Sequence, residues 1–266
     1  MKTVIFVFSG TGTSLAVAKK LSEELGGTTL ISIAKCIQQE VVLVEEERVG
    51  FIFPCNFGEL PQIVKDFVAK IKMDKAQYIF SIITAGGSAG IGLQILGKLL
   101  NKKGKELNYG KSITIASNYI VAWYIKMIKA NNVKLNNNIK ISDERMKQFA
   151  QDIIEEKNCV EKGSWLGYIV PHIVSPKKVV QNTRPWDRDF NAGGRCNGCG
   201  VCIKVCPVQN IRLVNNKPEF AHNCQRCMAC MQYCPKQAIQ YKGKYINTAR
   251  YYHPRISIND ISEFHR

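Results

Sequence analysis

Eight of the chain's 11 cysteines fall between Cys196 and Cys234, in two copies of C-x2-C-x2-C-x3-C-P. Cys196, Cys199, Cys202, Cys206, Pro207, Gln209 and Ile211 recur at an offset of 28 as Cys224, Cys227, Cys230, Cys234, Pro235, Gln237 and Ile239, so the segment is a duplicated unit. Three thiolates, each separated by two residues, wrap a loop around one face of a small inorganic cluster. The fourth, on a short turn ended by proline, is aimed away and ligates the other cluster. The spacing predicts one cluster on Cys196, Cys199, Cys202 and Cys234 and a second on Cys224, Cys227, Cys230 and Cys206. Zinc is the competing reading, because paired C-x2-C knuckles also bind it. A zinc site, however, has no need of a third cysteine and a C-P ending in each half. No C-x-x-C-H occurs, which excludes attached c-type haem.

A second stretch with chemical potential opens the chain. An apolar run, residues 4–8, leads into Ser9-Gly10-Thr11-Gly12-Thr13-Ser14 and then into a helical pattern over 14–25. A helix N-terminus offers free N–H groups and a positive dipole end, so a phosphate suits it. The hydroxyls add donors, and Gly10 and Gly12 let the backbone approach closely. No G-K-[ST] follows, which excludes an NTPase loop, and no G-x-G-x-x-G is present.

This hydroxyl-lined loop resembles the FMN phosphate loop of flavodoxins, with Thr11, Gly12 and Ser14 matching. The resemblance implies that two further loops flank the isoalloxazine ring. One carries Pro54, Cys55, Asn56, Phe57 and Gly58, and the other Ala85, Gly86, Gly87, Ser88 and Gly90; Asn118 and Tyr119 join them. Flavodoxins usually stack aromatics on both flavin faces, whereas Asn56 and Ala85 stand where these are expected. Phe57 is the stacking candidate, with Tyr119 or Trp123 as substitutes. Cys55 reads as a buried, inert thiol, and Cys36 and Cys159 read as packing.

Segment 187–240 in turn resembles the bacterial two-cluster 4Fe–4S ferredoxins. Nearly the whole chain looks like the flavodoxin–ferredoxin fusion proteins of anaerobic bacteria and archaea. Arg250-Tyr251-Tyr252-His253-Pro254 resembles an R-Y-x-H-P element those fusions carry. Read from its residues alone, the element has no chemical role beyond packing, and His253 is structural.

The elements that must position these groups follow from periodicity. Strand signals cover 3–8, 29–33, 49–53, 78–84 and 112–116, and helical patterns cover 14–25, 61–71, 90–100 and 143–157, the last with Ser142 as N-cap. Continuous apolar strands, each followed by a helix, imply a parallel sheet covered on both faces. The expected fold is α/β: a flavodoxin-like doubly wound parallel sheet of order 2-1-3-4-5, plus a small α+β two-cluster ferredoxin-like domain. The expected bounds are 1–160 for the first domain, with an insertion at 118–141, then 161–186 for a surface linker. The ferredoxin-like domain spans 187–240, with a hairpin over 211–221, and a tail, 241–266, packs on the domains.

With 45% apolar and 22% charged residues among 266, a packed core is available and global disorder is excluded. No run reaches the roughly 18–20 apolar residues of a membrane span. The opening reads as a strand rather than a signal peptide, so the protein is expected in the cytoplasm, where clustered thiols bind metal rather than pair. The formal charge of +16 includes a run of Lys98, Lys102, Lys103, Lys105, Lys111, Lys126, Lys129 and Lys134. Such a surface suits an acidic redox partner, and no nucleic-acid recognition motif accompanies it.

The expected function is electron transfer between FMN and two 4Fe–4S clusters, coupling two-electron and one-electron partners, with no catalytic side chain. An FMN-dependent reductase of a small substrate, fed by the clusters, is the enzymatic rival. A basic zinc-dependent nucleic-acid module is the remote one.

Overall fold

The computed structural model describes residues 1–121, 132–174 and 186–266. Its first domain is built on β1 (Thr3–Val7), which is buried along its whole length. Val4, Phe6 and Phe8 face one core and Ile5 and Val7 the other, so both faces demand apolar residues and no alternation is visible. Helix α1 (Thr13–Leu25) returns to β2 (Thr28–Ser32), and a short turn of helix, α2 (Ile33–Cys36), leads to the two-residue β3 (Val42–Leu43). Then come β4 (Arg48–Pro54), α3 (Gln62–Lys70), the brief β5 (Ile71–Lys72), β6 (Tyr78–Ala85), α4 (Gly92–Asn101) and β7 (Tyr109–Thr114). After these, α5 (Asn132–Ile154) precedes β8 (Cys159–Val160).

The main sheet has the order β2-β1-β4-β6-β7-β8, and each neighbouring pair is parallel. Counting only its full-length strands, this is the expected 2-1-3-4-5; the short β8 adds a sixth strand at the edge. Phe6, Phe51, Phe53, Phe67, Leu93 and Leu96 fill one face of the sheet beneath α3 and α4. Ile5, Ile52, Phe80, Ile82, Val17, Met146 and Phe149 fill the other beneath α1 and α5. The chain reverses direction beside β1, and ligands of such sheets sit at the carboxyl ends of the strands there.

Three local expectations change. Ser142 is not an N-cap: α5 begins at Asn132, and Ser142 lies buried in mid-helix. The segment read as a linker contains α6 (Trp165–Val174), and a 3-10 turn, Trp186–Asp189, begins at its last residue. Cys159 does not pack; it is exposed, with Lys111 Nζ 3.0 Å from its sulfur. Trp123, Lys126 and Lys129 lie outside the described residues.

The second domain pairs β9 (Phe190–Ala192), β12 (Ile239–Tyr241) and β13 (Lys244–Tyr245) in one small sheet. The expected hairpin is β10 (Ile211–Val214) and β11 (Lys217–Phe220). Short helices α7 (Val201–Lys204) and α8 (Ala229–Gln232) occupy equivalent places in the two repeats. The duplication extends to the backbone: Gly198, Gly200 and Gln209 are left-handed, and so are Arg226, Met228 and Gln237 at the same offset.

The tail ends in α9 (Ile258–His265), started by a capping box between Ser257 and Asp260. Ile256 and Ile261 of the tail, Leu15 of α1, and Val205, Ala229 and Tyr233 of the second domain form one buried cluster. Among the described residues, no helix is long and apolar enough to cross a membrane.

Candidate cofactor sites

Two cavities in the second domain divide the eight cysteines as the spacing predicts. Cys196, Cys199, Cys202 and Cys234 line one, and Cys206, Cys224, Cys227 and Cys230 line the other. Their volumes, about 20 Å³ each, match as a duplication requires. In each, the C-P cysteine crosses over from the opposite repeat. None of the eight forms a disulfide. Backbone N–H groups of Asn210 and Ala238 donate to Cys206 and Cys234 Sγ, both at 3.3 Å and both four residues on. Arg226 N–H donates likewise to Cys224 Sγ at 3.3 Å.

In the second cavity burial raises all four thiols, Cys206, Cys224, Cys227 and Cys230, with Cys224 pushed up to about 12, and neighbouring thiols reinforce the shift at the last three. Four thiols so placed ionise together only around a strongly cationic centre. Among the described residues, no three His, Cys, Asp or Glu side chains converge on a single ion.

At the carboxyl end of β1, residues 9–14 are buried throughout. Gly12 stands at φ 85° before the first turn of α1 and provides no side-chain cap. The N–H groups of residues 10–14 donate to nothing among the described residues, and the buried Ser9 Oγ has no partner there either. A buried row of donors without a protein partner at the positive end of a 13-residue helix is a cradle for an anion. The loop therefore fits a phosphate. Ser14 Oγ bonds Thr84 Oγ1 at 2.8 Å and ties the cradle to the end of β6, while Asn118 Nδ2 donates to Thr11 Oγ1 at 3.2 Å.

The other anticipated residues cluster around this edge. Phe57, at φ 52°, meets Tyr119 edge-on with ring centres 5.0 Å apart. Cys55 is partly buried, and burial holds its thiol at about 11, as an inert role requires. Pro54 ends β4 and Asn56 bridges back to Glu59. Gly58 and Gly90 are in direct backbone contact, with Ile91 N–H donating to Gly58 O at 2.9 Å. Ala85 is buried at the end of β6, whereas Gly86, Gly87 and Ser88 are exposed.

Several contributors were not evident in the sequence. Trp186 joins Phe57 and Tyr119, 6.4 Å from each, and Arg226 lies over its ring at 4.1 Å. The tail reaches the cradle: His253 N–H donates to Thr11 O at 2.8 Å, and Tyr251 and Thr13 hydroxyls lie 2.9 Å apart. His265 Nε2 is 2.8 Å from Ser9 O and its Nδ1 is 3.0 Å from Ser32 Oγ. Burial lowers both His253 and His265 to about 4, so they are neutral at pH 7. The second domain closes the remaining side. A Cβ on Gly10 would stand 2.5 Å from Cys227 O, and one on Gly12 would stand 2.8 Å from Ile256 Cβ. Gly10 is thus needed by the contact with the second domain and Gly12 by the contact with the tail, a demand the sequence reading assigned to the ligand alone. The only hint was the tail motif, which marked these residues without showing what they touch.

Comparison with known proteins places a match to the 4Fe-4S dicluster domain over residues 195–239. No curated protein matches the chain. Among solved structures, an FMN-dependent NADH-azoreductase from Bacillus anthracis in complex with FMN is 12% identical, covering 56% of this chain and 100% of that one, with a TM-score of 0.38. An NAD(P)H:quinone oxidoreductase from Methanothermobacter marburgensis is 12% identical (57% and 95% covered, TM-score 0.36). A flavodoxin from the domain Archaea is 11% identical (57% and 99% covered, TM-score 0.33).

Proposed function

We propose that this chain, a flavodoxin-like sheet joined to a 4Fe–4S dicluster domain, relays electrons between FMN in the first domain and two 4Fe–4S clusters in the second. The observation that carries the reading is the contact of Gly10 with Cys227, which sets one thiol-lined cavity against the anion cradle. When bound, FMN exchanges one or two electrons and each cluster exchanges one.

The chain's residues hold and tune. The N–H groups of residues 10–14 and the Ser9 hydroxyl hold the phosphate, and Phe57, Tyr119 and Trp186 supply aromatic surface beside it. Asn210, Arg226 and Ala238 N–H groups donate to thiolate sulfurs and stabilise added negative charge. Cys199 is exposed whereas the other seven cluster cysteines are partly buried, which makes its cavity the port to solvent. Lys236 lines that cavity, and Arg195, Lys204 and Lys217 are exposed nearby in sequence. Their charge suits an acidic redox protein. No side chain is required to act as acid or base.

Anaerobic purification followed by assay of flavin, iron and sulfide in one sample tests the reading. About one FMN with about eight iron and eight sulfide, all reducible in a visible titration, is the expected result. Full iron and sulfide without bound FMN would leave the first domain as a docking scaffold and refute half of the proposal. Zinc in place of iron and sulfide would refute the rest.

One observation favours a second reading, reduction of a small substrate at the flavin. A cavity of about 240 Å³ is lined by residues 87–90 with Gln94, Ser112, Glu161, Lys162 and Ser164. Gln94 Oε1 is buried there without a partner among the described residues. Substrate turnover by the reduced holoprotein, absent from flavin-free protein, would establish it.

A further inference from the structure

Gln232 is 1% exposed and sits at the end of α8, between the cluster cysteines Cys230 and Cys234. Both ends of its amide reach out of the dicluster domain. Nε2 donates to Asn118 O at 2.6 Å, and Oε1 accepts from Tyr251 N–H at 2.8 Å. Each partner then continues to the anion cradle. Asn118 Nδ2 donates to Thr11 Oγ1 at 3.2 Å and to Cys227 O at 3.3 Å, and the Tyr251 hydroxyl meets Thr13 Oγ1 at 2.9 Å. One side chain thus joins the second thiol-lined cavity to both sides of the phosphate loop.

We infer that Gln232 is a positioning residue that makes flavin retention depend on an assembled second cluster. The inference rests on the FMN reading above. A cluster held by Cys206, Cys224, Cys227 and Cys230 fixes α8 and the Cys227 carbonyl, and Gln232 passes that fixed geometry to Asn118 and Tyr251. Thr11 and Thr13 are then set with their N–H groups turned toward the phosphate. Without the cluster, four thiols no longer hold α8 in place, and the cradle loses two walls at once. Binding linkage is reciprocal, so bound FMN protects the second cluster from loss to the same degree. An amide suits the position because a carboxylate there would face the Asn118 carbonyl, and an apolar residue would leave a buried carbonyl and N–H unpaired.

The test uses the full chain loaded with clusters anaerobically. FMN affinity is measured by flavin fluorescence quenching in wild type, Gln232→Leu and Asn118→Ala. Iron loss to a chelator is followed with and without FMN. Gln232→Leu is expected to retain iron and sulfide yet bind FMN about tenfold or more weakly, because two buried hydrogen bonds are lost. FMN is expected to slow iron loss from wild type and not from Gln232→Leu. The Gln232→Leu and Asn118→Ala effects should fall short of adding in the double variant, since both break one path. Wild-type affinity in Gln232→Leu, or equal FMN protection of iron in both proteins, would overturn the inference. So would full additivity. If Gln232→Leu fails to assemble clusters, Gln232→Met decides, by the same FMN affinity and FMN protection of iron. Wild type that binds no FMN at all would instead refute the flavin reading itself.

Discussion

Replacing Gly10 with alanine separates two reasons for a glycine in the phosphate loop. Its φ lies outside the left-handed region, so alanine adds no backbone strain and acts only through its methyl group. That methyl would stand 2.5 Å from Cys227 O and 2.6 Å from Cys227 Cβ. Restoring ordinary contact requires the loops to part by roughly 0.9 Å, in a region buried on both sides. Overpacking of this kind costs about 1–3 kcal/mol. The decisive sample is cluster-loaded, flavin-free protein, in which no phosphate contact exists to be lost. Its thermal midpoint should fall by about 2–4 °C for each kcal/mol in a chain of this size. FMN affinity should weaken as well, because the cradle shares the displaced wall. If Gly10 serves the ligand alone, the flavin-free midpoint will not move. An unchanged midpoint together with weakened FMN binding would refute the docking of the second domain on this loop.

Three further outcomes can be checked. His253 and His265 are neutral in the fold with values near 4, while the unfolded chain protonates them near 6.5. Stability is therefore full above pH 6.5 and is lost as pH falls toward 4, by up to about 3 kcal/mol for each. Chemical denaturation at pH 7.5 and 5.5 should show the loss, and His265→Gln should reduce it. In thiol labelling of the cluster-loaded protein at pH 8, exposed Cys159 should react first and Cys55, held at about 11, should stay unmodified; equal rates would contradict the burial of Cys55. Reduction by an acidic ferredoxin should slow steeply between 50 and 300 mM salt, and Lys236→Glu should slow it at low salt; a salt-independent rate would remove the basic port from the reading.

What could be read in advance depended on how local the physical cause was. Strands β1, β4 and β6 announce themselves because both faces are buried and the requirement for apolar residues is continuous. The cluster cysteines are legible because ligand geometry constrains spacing directly. The start of α5 was hidden by its asparagines, although Ile139, Ser142 and Met146 form a buried stripe at helical spacing. The roles of Gln232, Tyr251 and His265 could not be read at all. Each has a partner more than a hundred residues away, Asn118, Thr13 and Ser9 in turn, so nothing periodic marks them. Gly10 and Gly12 were recognised as important, but one cause was seen where two operate.

The left-handed positions of the repeat also bear on directionality. In the first copy two of the three are glycines, and in the second the same two are Arg226 and Met228. A non-glycine residue in that conformation costs about 1–2 kcal/mol, and each of these side chains has a destination: Arg226 lies on Trp186, and Met228 is 2% exposed in the interior. Two equal halves would give the electron no preferred route. The second copy carries side chains that face inward at these two positions, while the first has glycines there, Gly198 close against Asn216. In the proposed relay, the duplicated symmetry becomes a polarity, with one copy as the outer terminal and the other as the inner junction.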